Sequence, residues 1–143
     1  MMRWVTRENI GVDRMATAWL IARFIDRSPE FAFVPEGSPV PAPEEGIAFD
    51  MPGAHLSHRR GHCTFHTALA EYQLRDPVLD RLALIIDEAD IVQEAPLEPI
   101  APGLDVVCRG IRLSSADDHE AITRSASIFD GLYAYLKQDV AQG

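Results

Sequence analysis

The chain has 143 residues and a formal net charge of −9, from 22 acidic residues against 13 basic ones. That length suits one domain, spanning 1–143, with a core that needs neither disulfides nor a structural metal, and the acidic balance argues against non-specific attraction to nucleic acid or to an anionic membrane. Cys63 and Cys108 are too few for a secreted disulfide framework, the N-terminus is broken up by Arg3, Arg7 and Glu8, and no apolar run approaches bilayer length, so the expectation is a cytoplasmic protein.

Arg3 to Thr6 is rich in β-formers and reads as a first strand. From Asp13 to Asp26 the residues Met15, Ala18, Trp19, Ala22 and Ile25 recur at helical spacing, with Leu20, Ile21 and Phe24 widening the apolar face, which predicts a largely buried helix with Asp13 as its cap. Ser28-Pro29 closes it. Phe31–Val34 and Ile47–Met51 read as second and third strands, separated by a surface excursion in which Pro35, Gly37, Pro39, Pro41, Pro43 and Gly46 rule out regular pairing. Thr64–Tyr72 reads as a short helix capped by Thr64. Asp76-Pro77 opens another, whose stripe of Leu79, Leu82, Ala83, Ile86 and Ala89 runs to about Val92. The prolines between Glu94 and Gly103 predict irregular chain, and Leu104–Leu113 a helix with Val106, Val107, Gly110 and Ile111 inward. Asp117 with Glu120 resembles a capping box for a last helix carrying Ile122, Ala126, Phe129, Tyr133 and Leu136 towards Val140. The sum is a mainly helical α+β domain, a small N-terminal β-sheet packed with about five helices.

The stretch from Phe49 to His66 is the chemically unusual one. It gathers His55, His58, His62 and His66, four of the five histidines, within twelve residues, together with Cys63, Arg59, Arg60 and the turn formers Pro52, Gly53 and Gly61. Such crowding points to a metal or anion site, since imidazole is the commonest side-chain metal ligand; a polar loop gathering histidines without a ligand is the bland alternative. Asp90 continues the buried stripe of its helix, and His119 sits at the start of the last helix on its inward side, so both need partners. With His58 and His66 they would form a mixed nitrogen and oxygen set that suits one transition metal ion, iron, zinc, manganese or nickel, better than calcium or magnesium. A helix-end ion pair for Asp90 and a backbone-bonded His119 are the competing structural roles. No zinc-finger spacing, nucleophile elbow, phosphate loop, dinucleotide fingerprint or HExxH signature is present.

Arg14 lies in the first turn of a buried helix, where the backbone N–H groups and the dipole already favour negative charge. A guanidinium there either pairs with Asp13 or Asp50 or helps to hold an oxyanion, and Arg7 approaches the same place if the first strand runs into that helix. Cys63 is either a thiolate made acidic by His62 and Arg60 or a packing residue; Cys108 is packing.

Several motifs occur together and in order: Trp4-Val-Thr-Arg7, the run from Val12-Asp-Arg14 to Asp26, Phe33-Val-Pro35, Phe49-Asp-Met-Pro-Gly-Ala54, His58, Cys63-Thr-Phe65 and Asp117-Asp-His119. Together they resemble the C-terminal domain of the chromate resistance protein ChrB, over nearly the whole chain. ChrB proteins are implicated in chromate-responsive regulation of a chromate efflux operon, and many carry a further N-terminal region. The resemblance implies a cytoplasmic domain that senses or binds chromate, a tetrahedral dianion, with Arg7, Arg14 and His58 at the family's polar signature positions. It departs from the family pattern at His66 and Asp87, where glutamate and histidine are usual. The partner expected is therefore a small oxyanion such as chromate, with no membrane, no direct nucleic-acid binding by this chain alone, and a homo-oligomer allowed. Two other readings stand beside it: a metal-dependent enzyme, hydrolytic or redox, acting on an anionic small molecule, and a helical module that pairs with a regulator through its last helix.

Overall fold

Arg3–Arg7 form β1, and its middle residues Trp4, Val5 and Thr6 are all buried. A strand buried on both faces belongs inside a sheet, not at its edge. The computed structural model describes residues 2–91 and 96–142. In it β1 lies between β2 (Glu30–Val34) and β3 (Ile47–Ala48), all parallel. Trp4 pairs with Phe31 and Ile47, and that face packs on Ile21, Phe49 and Leu56; Val5 pairs with Ala32 and Ala48, and the opposite face meets Met51 and Ala54. The proline-rich connector enters β3 through Gly46, where φ is +147° and a Cβ would stand 2.9 Å from Val5 Cγ2 and 3.0 Å from the Arg3 carbonyl oxygen. Only glycine fits there.

β3 is shorter than the Ile47–Met51 strand that the sequence suggests. Phe49 still donates its N–H to the Val5 carbonyl at 2.9 Å, but Asp50 turns left-handed at φ 51°, and the ladder stops.

Among the described residues there are five α-helices: α1 (Val12–Leu20), α2 (Thr64–Glu71), α3 (Pro77–Asp90), α4 (Ala101–Ser114) and α5 (Asp118–Gln142). This is the mainly helical α+β architecture expected. Helix α1 touches all four others, and its Met15, Ala16, Trp19 and Leu20 share one core with Phe65, Leu79, Leu82, Ile86 and Phe129. The predicted continuation to Asp26 survives as one widened turn, Ile21–Ile25, closed by a bond from the Asp26 N–H to the Ile21 carbonyl. Residues five apart do not share a face of a regular helix, yet the wide turn lets Trp19 and Phe24 meet edge to face at 5.7 Å, and both rings contact Tyr133.

Helix α3 follows the sequence closely. Asp76 caps it by accepting from the Val78 N–H at 2.8 Å, Pro77 takes the first turn, and Leu79, Leu82, Ala83, Ile86 and Ala89 are all buried. Val92 and Glu94, assigned to its end and to the following irregular chain, lie outside the described residues. Helix α4 begins earlier than predicted because Pro102 fits a first turn that needs no N–H from it. Its inward stripe is Ala101, Leu104, Cys108 and half-buried Ile111, at steps of three and four; Val106, Val107 and Gly110, expected inward, are exposed. At the start of α5 the capping pair is present: Asp117 accepts from the Glu120 N–H at 2.9 Å, and Glu120 reaches back to the Ala116 N–H. Asp118 accepts from the N–H groups of Asn9 at 3.0 Å and Ile10 at 2.9 Å, tying α5 to the turn between β1 and α1.

Two expected caps are overturned. Gly11 precedes α1, and neither it nor Thr64 caps through a side chain. Asp13 instead leaves its own helix and, buried, serves the N-terminus of α2, accepting from the Thr64 N–H at 2.8 Å and the Phe65 N–H at 3.0 Å. Asp87 of α3, also buried, takes the preceding Cys63 N–H at 2.8 Å. The first donors of α2 are thus satisfied by carboxylates from two other helices, which also suit the positive end of its dipole.

Asp13→Ala strands two buried N–H groups, and its expected cost is about 2–4 kcal/mol. Urea unfolding measures the loss, and hydrogen exchange at the Thr64 and Phe65 amides should rise ahead of that in β1. Asp130 gives a second, pH-dependent test. It accepts from Trp19 Nε1 at 2.7 Å and from the Arg23 guanidinium at 3.0 and 2.9 Å, and these bonds hold its carboxyl below the usual range. A lowered folded pKa adds stability above the unfolded value near 3.9 and loses it as pH falls through the folded one. The deficit of Asp130→Ala, on the order of 1 kcal/mol for so exposed a carboxylate, should therefore be present at pH 7 and fade in acid.

Candidate metal and anion site

The histidine loop is tethered along its length. The Asp50 N–H bonds the Leu56 carbonyl at 2.7 Å, and the Thr67 hydroxyl of α2 donates to the Ser57 carbonyl at 2.7 Å. Arg59 and His62 exchange backbone bonds of 3.1 and 2.9 Å around a two-residue turn in which Arg60 (φ 52°) and Gly61 (φ 80°) are both left-handed, the I′ pattern. Arg59 itself is engaged with Glu71 at 2.9 Å and the His55 carbonyl at 2.6 Å, and His55 faces Glu71 at 2.9 Å. These two side chains brace the loop against α2.

His58 points the other way, into a group of carboxylates. Its Nε2 lies 3.0 Å from Asp13 Oδ2, 3.1 Å from Asp90 Oδ2 and 3.8 Å from Asp50 Oδ1. The Asp13 hydrogen bond first, then the charges of Asp13, Asp50 and Asp90, push its pKa up to about 9 against the effect of burial. It is an imidazolium at neutral pH. Burial and the Asp13 charge push Asp90 up to about 6, and they raise Asp50 also, with Arg14 and His58 pulling the other way. Thr64 Oγ1 is fully buried and, among the described residues, meets no partner at hydrogen-bond geometry. Asp13, His58 and Asp90 each offer one donor atom, all within 4.8 Å of one another.

A second group, His62, His66 and Asp87, shares no residue with the first. His62 Nδ1 and His66 Nδ1 stand 2.8 and 3.1 Å from the same oxygen, Asp87 Oδ2, with their rings 4.0 Å apart. Burial acts to raise the Asp87 pKa, but the Cys63 N–H and thiol and the two imidazoles outweigh it and keep the carboxylate low.

The four residues expected to share one metal are therefore divided. His58 and Asp90 are together, joined by Asp13; His66 belongs to the Asp87 group; His119 is exposed, its ring edge-on to Phe33 at 4.8 Å, and is in neither. His119 does not face inward because the buried stripe of α5 starts at Ala121 and Ser125, one register away. Asp90, expected to continue the buried stripe, is exposed where α3 ends, because that stripe closes one residue earlier at Ala89; its carboxylate faces His58.

Arg14 pairs with Asp50 at 3.3 Å and donates to the carbonyls of Arg7 at 2.7 Å and Glu8 at 3.3 Å. The ion-pair alternative for Arg14 is thus realised. The same guanidinium also borders a polar cavity of about 240 Å³ with Arg7, Glu8, Asn9 and Glu36; Arg7 reaches Glu36 only at 3.8 Å, and among the described residues its buried Nε meets no partner. Arg7 and Arg14 are brought together as expected, while His58, on the far side of Asp50, is fenced by acids that repel an anion.

Asp13, Asp50 and His62 were not singled out as ligands. For Asp13 a signal existed, since an acid in a helix apolar nearly all round needs a partner as Asp90 does. Asp50 gave none: its left-handed backbone aims the side chain, and sequence does not show that. The acidic-thiolate reading of Cys63 is overturned, because burial pushes its thiol well above the usual range and Asp13 adds to this. Cys108 is buried packing, its thiol pushed up to about 12.

Among the described residues no helix is long and apolar enough to cross a membrane. No solved structure matches the chain. Among curated proteins it is similar to Protein ChrB of Cupriavidus metallidurans, at 31% identity over 135 residues, which is 94% of this chain and 40% of that protein; it thus spans about two fifths of that relative's length. Residues 4–136 match the family described as ChrB, C-terminal domain. With both histidine–carboxylate groups inside that match, the chain belongs to the ChrB C-terminal domain family.

Proposed function

We propose that this chain is the ligand-responsive part of a chromate-resistance protein, in which one transition metal ion, iron, zinc or manganese, sits beside a small oxyanion such as chromate. The metal takes Asp13, His58 and Asp90; the oxyanion takes the cavity of Arg7 and Arg14. The observation that carries this reading is the position of His58, whose imidazolium stands among three carboxylates where a cation is needed to balance them. A metal ion entering there takes the place of the Nε2 proton. The donor set of one imidazole and two carboxylates suits iron, manganese or zinc. Asp50 supports the set from outside, oriented by Arg14.

The oxyanion is better accommodated on the Arg7 side than at His58. A tetrahedral dianion matches a guanidinium fork, and Arg7 has bonding capacity to offer, its buried Nε meeting no partner among the described residues. Arg14 joins the two halves: it borders the cavity and holds Asp50, so an anion arriving at the arginines alters the charge next to the metal ligands.

The tests separate the halves. Arg14→Ala and Arg7→Ala are each expected to abolish the rise in melting temperature that chromate gives the parent, with sulfate as the control; a parent-like response in both variants rejects the arginine cavity. In protein made without a histidine tag, His58→Ala should lower bound metal by about one ion per chain, and His55→Ala should leave it unchanged. Equal metal content in the two rejects the His58 centre.

A further inference from the structure

We propose that His62, His66 and Asp87 form a second, separate site for a divalent late transition metal ion of the zinc, nickel and copper class. This inference stands apart from the His58 centre, with which it shares no side chain.

Three features make the group a built site and not a chance pair of surface histidines. First, both Nδ1 atoms converge on one oxygen, Asp87 Oδ2, at 2.8 and 3.1 Å, so the three donor atoms already lie within 4.8 Å of one another. A metal ion with bonds of about 2.0–2.2 Å needs donors this close. Second, the carboxylate is fixed from behind. Asp87 is buried, and its other oxygen accepts the Cys63 N–H at 2.8 Å, which leaves Oδ2 directed at the imidazoles; a hydrogen bond to the non-ligating oxygen is the usual support for a metal carboxylate. Third, the histidines come from differently held backbone. His62 closes the I′ turn at Arg60-Gly61, and His66 lies in the first turn of α2. Their rings nevertheless lie side by side, centroids 4.0 Å apart and tilted by 35°.

The chemistry of the donors selects the ion. Two imidazole nitrogens and one carboxylate oxygen favour copper, nickel and zinc over magnesium or calcium, which take oxygen ligands. The neighbouring space, a cavity of about 240 Å³ bordered by Gly61, His62, Asp87 and Glu98, leaves room for water to complete the coordination. Both rings are partly exposed, so they can part slightly to admit the ion without disturbing the core.

Calorimetric titration of untagged protein with zinc tests this. The parent is expected to bind two zinc ions, the His62→Ala/His66→Ala variant one, and His58→Ala one, with the surviving site in each unchanged. Asp87→Asn keeps an oxygen for the Cys63 N–H and should weaken the second site at least tenfold. Copper-bound His58→Ala should show electron paramagnetic coupling to two nitrogens, falling to one when His62→Gln is added. If the double histidine variant, or the milder His62→Gln should the former not fold, binds zinc with parental stoichiometry and affinity, the site is wrong. Unaltered binding in Asp87→Asn overturns it equally, because a carboxylate-independent histidine pair is only an adventitious zinc sink. Loss of the His58 site alone leaves this site intact and rejects only the other reading.

Discussion

Two buried carboxylates at the head of a short helix hold this molecule together. Helix α2 has eight residues, too few to be stable alone. Its leading N–H groups at Cys63, Thr64 and Phe65 go to Asp87 and Asp13, which belong to α3 and α1. Each bond fixes α2 against a neighbour and at the same time makes burial of an acid tolerable. Because the histidine loop runs directly into α2, the same contacts carry His58, His62 and His66 to the free lone pairs of those acids. Folding and site assembly are one event here.

The electrostatics follow from that arrangement. Three carboxylates, Asp13, Asp50 and Asp90, face a single imidazolium and one edge of Arg14, so the centre of the group is a place for positive charge. On the proposed reading an anionic ligand goes to the arginines instead, and Arg14, which pairs with Asp50 and borders their cavity, links the two sites.

Much of this was legible in the residues alone. The helices of 77–90 and 118–142 are announced by their caps and stripes, and Leu79, Leu82, Ala83, Ile86 and Ala89 of α3 are all buried. Histidines of the loop do meet carboxylates of α1 and α3, while Asp90, read as part of the buried stripe, is exposed at the end of its helix. What failed did so for identifiable reasons. Helical periodicity gives a face only to within one residue, and a one-residue rotation exposes Val106 and Val107 and moves His119 from core to surface. Local capping rules assume that an aspartate caps its own helix, whereas Asp13 crosses to another. The pairing of β1 between two parallel partners is non-local, and the left-handed turn at Asp50 has no mark stronger than the tolerance of aspartate for it.

Helix α5 begins where Asp118 grips the amides of Asn9 and Ile10, and Asn9 is also part of the cavity wall. From that anchor its 25 residues extend as a rod of roughly 37 Å. It is held along its length as well: Phe129 and Leu136 are buried in the core, Trp19 and Arg23 bond Asp130, and the Tyr133 hydroxyl donates to Asp76, so a shift imposed on its first turn at the cavity rim is handed on to the packing of α1 and α3 rather than lost in a loose end.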